Sequence, residues 1–167
     1  MSNLVDEVRE WNTPIIGAFL LWHFTTGYKQ NHPYGESPVV ILHFIATGIL
    51  TSNDFLKAIS GHRPNLESFV RNFTDSHESD LLSCLHQRIL QRRAYTTAAI
   101  DIAVSSGLLV WDCEQAILHP ADAPRIKRGG LKLGNDIKRV ADKAEILGKW
   151  FSKHDIPSIT AYLGVVL

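Results

Sequence analysis

The chain is poor in the residues that covalent and redox chemistry need. It has two cysteines, Cys84 and Cys113, in 167 residues. That is too few for a disulfide scaffold, and with no secretory signal they read as reduced thiols. Charge of one sign is lacking too. Seventeen basic residues balance seventeen acidic ones, so net charge favours neither nucleic acid nor membrane. Long hydrophobic runs are absent. The longest, residues 14–24 and 38–50, contain His23 and His43. Both are shorter than the ~20 apolar residues a membrane span requires. The opening residues are acidic and have no basic stretch, so they do not read as a signal peptide. These exclusions point to a cytoplasmic globular protein. No repeat or low-complexity segment interrupts the chain.

Hydrophobic residues make up 45% of the sequence and charged residues 20%, an ordinary globular balance. The length suits a single domain over 1–167. Within it, an N-terminal helical half covers 1–75, a winged-helix-like part 76–120, and C-terminal helices 135–167. The fold class expected is mainly α with a small β-hairpin.

Local signals give the order. Asn12, Thr13 and Pro14 start a helix that is apolar all round and stops at Gly27. A second apolar helix spans about 38–47 and breaks near Gly48. Thr51 or Ser52 opens a short third helix, and Arg63-Pro64-Asn65 restarts a fourth. Leu81, Leu82, Leu85, Ile89 and Leu90 follow helical spacing and predict one continuous helix. The next runs through Ala94, Ala98 and Val104 to a stop at Gly107. Leu108 to Asp112 and Ala116 to Pro120 then read as two strands joined by a turn at Cys113-Glu114-Gln115. Helix, helix, glycine, hairpin is the order of a winged helix. After a linker-like stretch at 120–134, Asn135 or Asp136 caps a helix with the stripe Ile137, Val140, Ala144, Leu147 and Phe151. Asp155 and Pro157 open a last short helix.

Chemical motifs are missing or incomplete. Gly129 and Gly134 have P-loop spacing, but Asn135-Asp136 stands where Lys and Ser or Thr must follow. Eight histidines are scattered without metal-ligand spacing, and Cys84 and His86, two apart, diverge on a helix. His23 and His43 are expected to hydrogen-bond inside the core. Cys84, on a predicted apolar helix face, reads as a buried, inert thiol. No Gly-x-Ser-x-Gly elbow occurs. The carboxylates Glu78 and Asp80 sit at a helix start, where the macrodipole explains them. No catalytic, metal or cofactor residue is assigned, and the chain is read as not an enzyme.

Nucleic acid has a stronger claim. Residues 125–153 carry nine basic and three acidic residues. Arg125, Lys127, Arg128, Lys132, Lys138 and Arg139 are the candidate phosphate contacts. The other reading is a solvated helix face beside a loop. The helix after Arg92 and Arg93 offers Ala94, Tyr95, Thr96, Thr97 and Ala98, few of which reach base edges. Such a helix suits protein contacts better. Aromatic anchors for a partner can come from Trp11, Trp22, Tyr28, Tyr34, Trp111 and Trp150.

Three segments carry a family resemblance. Trp11-Asn12-Thr13-Pro14-Ile15-Ile16-Gly17-Ala18 precedes Leu21-Trp22-His23-Phe24 and Gly27-Tyr28. Ala99, Ala103, Gly107, Leu108 and Leu109 form a middle segment. Ala144, Leu147, Gly148, Trp150 and Phe151 precede Leu163-Gly164-Val165. Together they resemble the middle components of ABC three-component systems, in order and over nearly the whole chain. One departure is the ending Val166-Leu167, where many relatives place a proline near the position of Val165. The resemblance implies an accessory subunit without catalytic residues or cofactor. Its partners would be an SMC-like or Rad50-like ATPase and an effector, such as a nuclease, in Lamassu-like defence against phage or plasmids. DNA contact would occur within the complex and membrane contact would not. Trp11, Asn12, Trp22, Tyr28 and Trp150 are the candidate partner contacts.

Overall fold

Helix α1, Pro14–Asn31, is the element around which the others are placed. The computed structural model describes residues 13–76, 78–122 and 134–166. Pro14 occupies the first turn of α1, where its missing N–H costs nothing. The helix continues through Gly27 instead of stopping there. Helix propensity disfavours glycine by about 1 kcal/mol, and packing overrides it here. A Cβ at Gly27 would lie 2.4 Å from the Glu145 carbonyl oxygen.

That carbonyl belongs to α8, Asn135–Phe151, whose buried side is Val140, Ala141, Ala144, Leu147, Gly148, Trp150 and Phe151. This is the expected stripe from Val140 to Phe151, widened by adjacent positions, while Ile137 at its start is only half-buried. At Gly148 the approach is closest: a Cβ there would sit 2.1 Å from the Phe24 carbonyl oxygen. Two glycines, one on each helix, thus let the backbones of α1 and α8 touch.

Helix α2, Val40–Leu50, buries Leu42, His43 and all of 45–50. It also runs through its glycine, Gly48, which makes room for Ile89 at 2.7 Å from a built Cβ. Helix α3, Asn53–Ala58, and α4, Leu66–Asp75, follow. Asn65 caps α4 by accepting from the Ser68 N–H at 3.0 Å. Phe73 of α4 meets Phe55 of α3 and Phe69 of its own helix edge to face.

The single helix expected across 81–90 is two. Helix α5 is Ser79–Ser83 and α6 is Leu85–Gln91, with Cys84 at the break. Helix α5 buries none of its residues, whereas Leu85 and Ile89 of α6 enter the core. The chain turns at Cys84 to bring them there, which leaves its thiol exposed instead of buried as expected. Arg88 of α6 holds the carboxyl end of α2 through the carbonyls of Gly48, at 3.0 Å, and Thr51.

Helix α7, Arg93–Ser105, ends as its sequence predicts. Gly107 takes φ +74°, its N–H bonds Val104 O at 3.1 Å, and Leu108 N–H bonds Ala103 O at 2.9 Å. This is a Schellman cap. Strands β1, Leu109–Asp112, and β2, Ile117–Pro120, pair antiparallel with Leu109 opposite Pro120 and Asp112 opposite Ile117. Asp112 Oδ1 folds the turn by accepting from the N–H groups of Glu114 and Gln115.

The other edge of β2 is also used. Leu118 N–H donates to Pro38 O at 3.2 Å, and Val40 N–H donates to Ala116 O at 2.8 Å. An isolated β-bridge, Val39 to Ile117, thereby ties the segment between α1 and α2 to the hairpin. Helices followed by a hairpin are compatible with the winged-helix expectation. Helix α9, Ile156–Leu163, is capped by Asp155, which accepts from Ser158 N–H at 2.9 Å. The fold is mainly helical with a two-stranded hairpin. Among the described residues, no helix is long and apolar enough to cross a membrane.

Candidate partner-binding face

Helix α1 is apolar all round, but its neighbours among the described residues do not surround it. Gly17 faces Tyr95 and Ala99 of α7, Gly27 and Phe24 face α8, and Thr25 faces His43 of α2. Ile15, Phe19, Trp22 and Thr26 follow each other at spacings of four, three and four, so they share the remaining side. Ile15 is 69% exposed, while Phe19 and Trp22 are half-buried. The Phe19 and Trp22 rings lie 6.2 Å apart, and each meets the His23 ring edge-on, at 4.5 and 4.7 Å. A contiguous apolar strip of this kind is characteristic of interaction surfaces.

The strip is held firmly. His23 Nδ1 and Glu145 Oε1 are 2.6 Å apart, tying one rim to α8. At the amino end, Tyr95 Oη donates to Thr13 O at 3.0 Å. Burial there pushes the Tyr95 phenol above its ordinary pKa. Two polar atoms in the strip are buried without a hydrogen-bond partner among the described residues: the indole nitrogen of Trp22 and the hydroxyl of Thr26. An unpaired buried donor costs about 1–3 kcal/mol.

The expected contacts divide. Trp22 lies on this face. Trp11 and Asn12 fall outside the described residues. Tyr28 and Trp150 are corrections: they are 8% and 2% exposed and belong to the core. Tyr28 is covered where Gly148 brings α8 against its backbone, and Trp150 packs on Phe69 at 5.7 Å. Neither reaches the open side of α1: Trp150 is enclosed, and the little of Tyr28 that is exposed faces a groove at the other end of α1.

Of the basic set, Arg125, Lys127, Arg128 and Lys132 lie outside the described residues. Lys138 and Arg139 are exposed near the start of α8, where Arg139 pairs with Asp136 at 3.6 Å. Sequence reading missed Ile15, because a helix with no polar side gives no sign of which side stays open. Among the described residues, no three histidine, cysteine or acidic side chains are grouped to hold a metal ion.

The family model for the ABC-three component (ABC-3C) system Middle Component 3 matches residues 1–167. The chain belongs to that family. No curated protein and no solved structure matches it. As a middle component, it is one part of a multi-component system. The family resemblance also acquires a physical basis. Leu147, Gly148, Trp150 and Phe151 are the α8 side of the glycine crossing and its flanking core. Leu163-Gly164-Val165 is a second glycine cap, with φ +64° at Gly164 and Val165 N–H bonded to Thr160 O at 3.0 Å. These motifs specify the fold, not the contact.

Proposed function

We propose that this middle component is a non-catalytic, cytoplasmic accessory subunit that binds an SMC-like ATPase. It would couple that ATPase to an effector in prokaryotic defence against phage or plasmids. The observation that carries this reading is the open apolar side of α1, Ile15, Phe19 and Trp22, on the most central helix of the fold. Family membership supports a multi-component setting. ATP hydrolysis and any nucleic-acid cleavage are assigned to the partners.

The test is co-expression with the neighbouring genes and capture of the complex. Wild type is expected to co-purify with the coiled-coil ATPase and to show no turnover alone. Ile15→Glu adds a charge at an exposed position, so it should leave the melting temperature unchanged and cut capture by about tenfold or more. Undiminished capture by this variant would move the interface elsewhere; no complex in the wild type would sink the reading.

A second reading is a DNA-binding winged-helix regulator. Lys138 supports it: exposed and, among the described residues, without a carboxylate partner. The exposed side of α7 opposes it, presenting Arg93, Ala94, Thr97, Asp101 and Ser105, one cation against one anion. Direct DNA binding predicts an affinity that falls steeply with salt and drops when Lys138 and Arg139 are neutralised.

A further inference from the structure

A groove of about 510 Å³ lies at the opposite end of α1 from Ile15, between the 32–39 loop and the α8–α9 turn. Its walls are apolar and aromatic: Tyr28, His32, Ile117 and Pro157. The Tyr28 and His32 rings stack at 5.5 Å with 14° between planes. Three charged side chains line it: Glu36, Lys153 and Asp155. Two are already engaged. Lys153 Nζ donates to Asn31 O at 2.5 Å, at the negative end of α1, and Asp155 caps α9. Glu36 is the charge left over. Its side chain is 71% exposed, and among the described residues it has no lysine or arginine partner, only the His32 ring nitrogen Nε2 at 4.0 Å. His32 Nδ1 accepts from the N–H groups of Tyr34 and Glu36, each at 3.3 Å. That assigns the ring proton to Nε2.

An uncompensated carboxylate over an apolar wall complements an amphipathic cation. We propose that this groove receives a lysine or arginine side chain from an extended segment of another protein. The aliphatic stem lies along Ile117, Pro157 and Tyr28, and the head reaches Glu36. Tyr34, 85% exposed with its ring 6.1 Å from His32, stands at the mouth, where a guanidinium can stack on it. The groove is separate from the α1 strip, so this proposal does not depend on which partner covers that strip.

The experiment is a titration of the full, isotopically labelled chain with N-acetyl-arginine amide, followed by amide NMR. N-acetyl-norleucine amide, with a similar stem and no charge, is the control. The arginine probe is expected to move the amides of Glu36, Ser37, Ile117 and His154. It should bind about fivefold more tightly than the norleucine probe at low salt, with the difference shrinking at 0.5 M salt. Glu36→Gln, at an exposed site, should weaken the arginine probe about threefold and keep the wild-type spectrum elsewhere. Equal binding of both probes, unchanged binding by Glu36→Gln, or shifts confined to other surfaces would each overturn the proposal.

Discussion

His43 is fully buried in α2, and its two ring nitrogens have partners. Nε2 lies 2.8 Å from Thr25 Oγ1 and Nδ1 lies 3.2 Å from Val39 O. Thr25 Oγ1 also lies 2.6 Å from Leu21 O. A neutral imidazole and one hydroxyl carry two protons for these three contacts. A third proton on His43 would complete the set, but burial wins and pushes its pKa down to about 4. The sign follows. Between pH 6.5 and 4 the unfolded chain takes up a proton at this position and the folded chain does not. Stability is therefore full above pH 6.5 and is lost as pH falls, by up to about 3 kcal/mol. Urea unfolding at pH 7, 5.5 and 4.5 should show this slope, and His43→Gln should flatten it. Parallel slopes in the two proteins would assign the proton to another group. The expectation of a core histidine bonded within the fold holds for His43. His23 differs: it is half-buried and reaches across to Glu145 at the rim of the apolar strip.

Elements were legible where the chain's own chemistry decides them. Pro14 at the start of α1, Asn65 and Asp155 as caps, Gly107 as a stop and the β1–β2 hairpin all appear where local signals put them. Gly27 and Gly48 look the same in sequence as Gly107, yet the helices continue through them. The difference lies in a residue far along the chain: Glu145 for Gly27, Ile89 for Gly48. No local pattern contains that information. The break at Cys84 and the burial of Tyr28 and Trp150 were hidden for the same reason. The candidate face was half legible, since Trp22 was singled out and Ile15 and Phe19 were not. The crossing of α1 and α8 makes a sharp prediction. Gly148→Ala places a methyl against backbone that cannot step aside, so it should destabilise the fold by about 2 kcal/mol or more. Gly134→Ala meets open space and should stay within about 0.5 kcal/mol of wild type. Chemical denaturation of the two variants decides between a rigid crossing and one that relaxes.

At the scale of the whole molecule, α1 divides its surface between two tasks. One side is consumed by α2, α7 and α8, and the other is left to the surroundings. The first side is completed late. His23 and Glu145 are 122 residues apart, so α1 leaves the ribosome long before α8 exists. At ~5–20 residues per second, that wait lasts roughly 6–24 s. Throughout it, the part of α1 that α8 will cover, around Phe24 and Gly27, is exposed. A chain stopped at residue 134 would prolong the wait indefinitely. It should be recovered as aggregate or bound to chaperones, whereas the full chain should be recovered in the supernatant, as sedimentation of the two lysates would show. The glycine crossing therefore sets a timetable as well as a geometry: this chain has to be finished before it is safe.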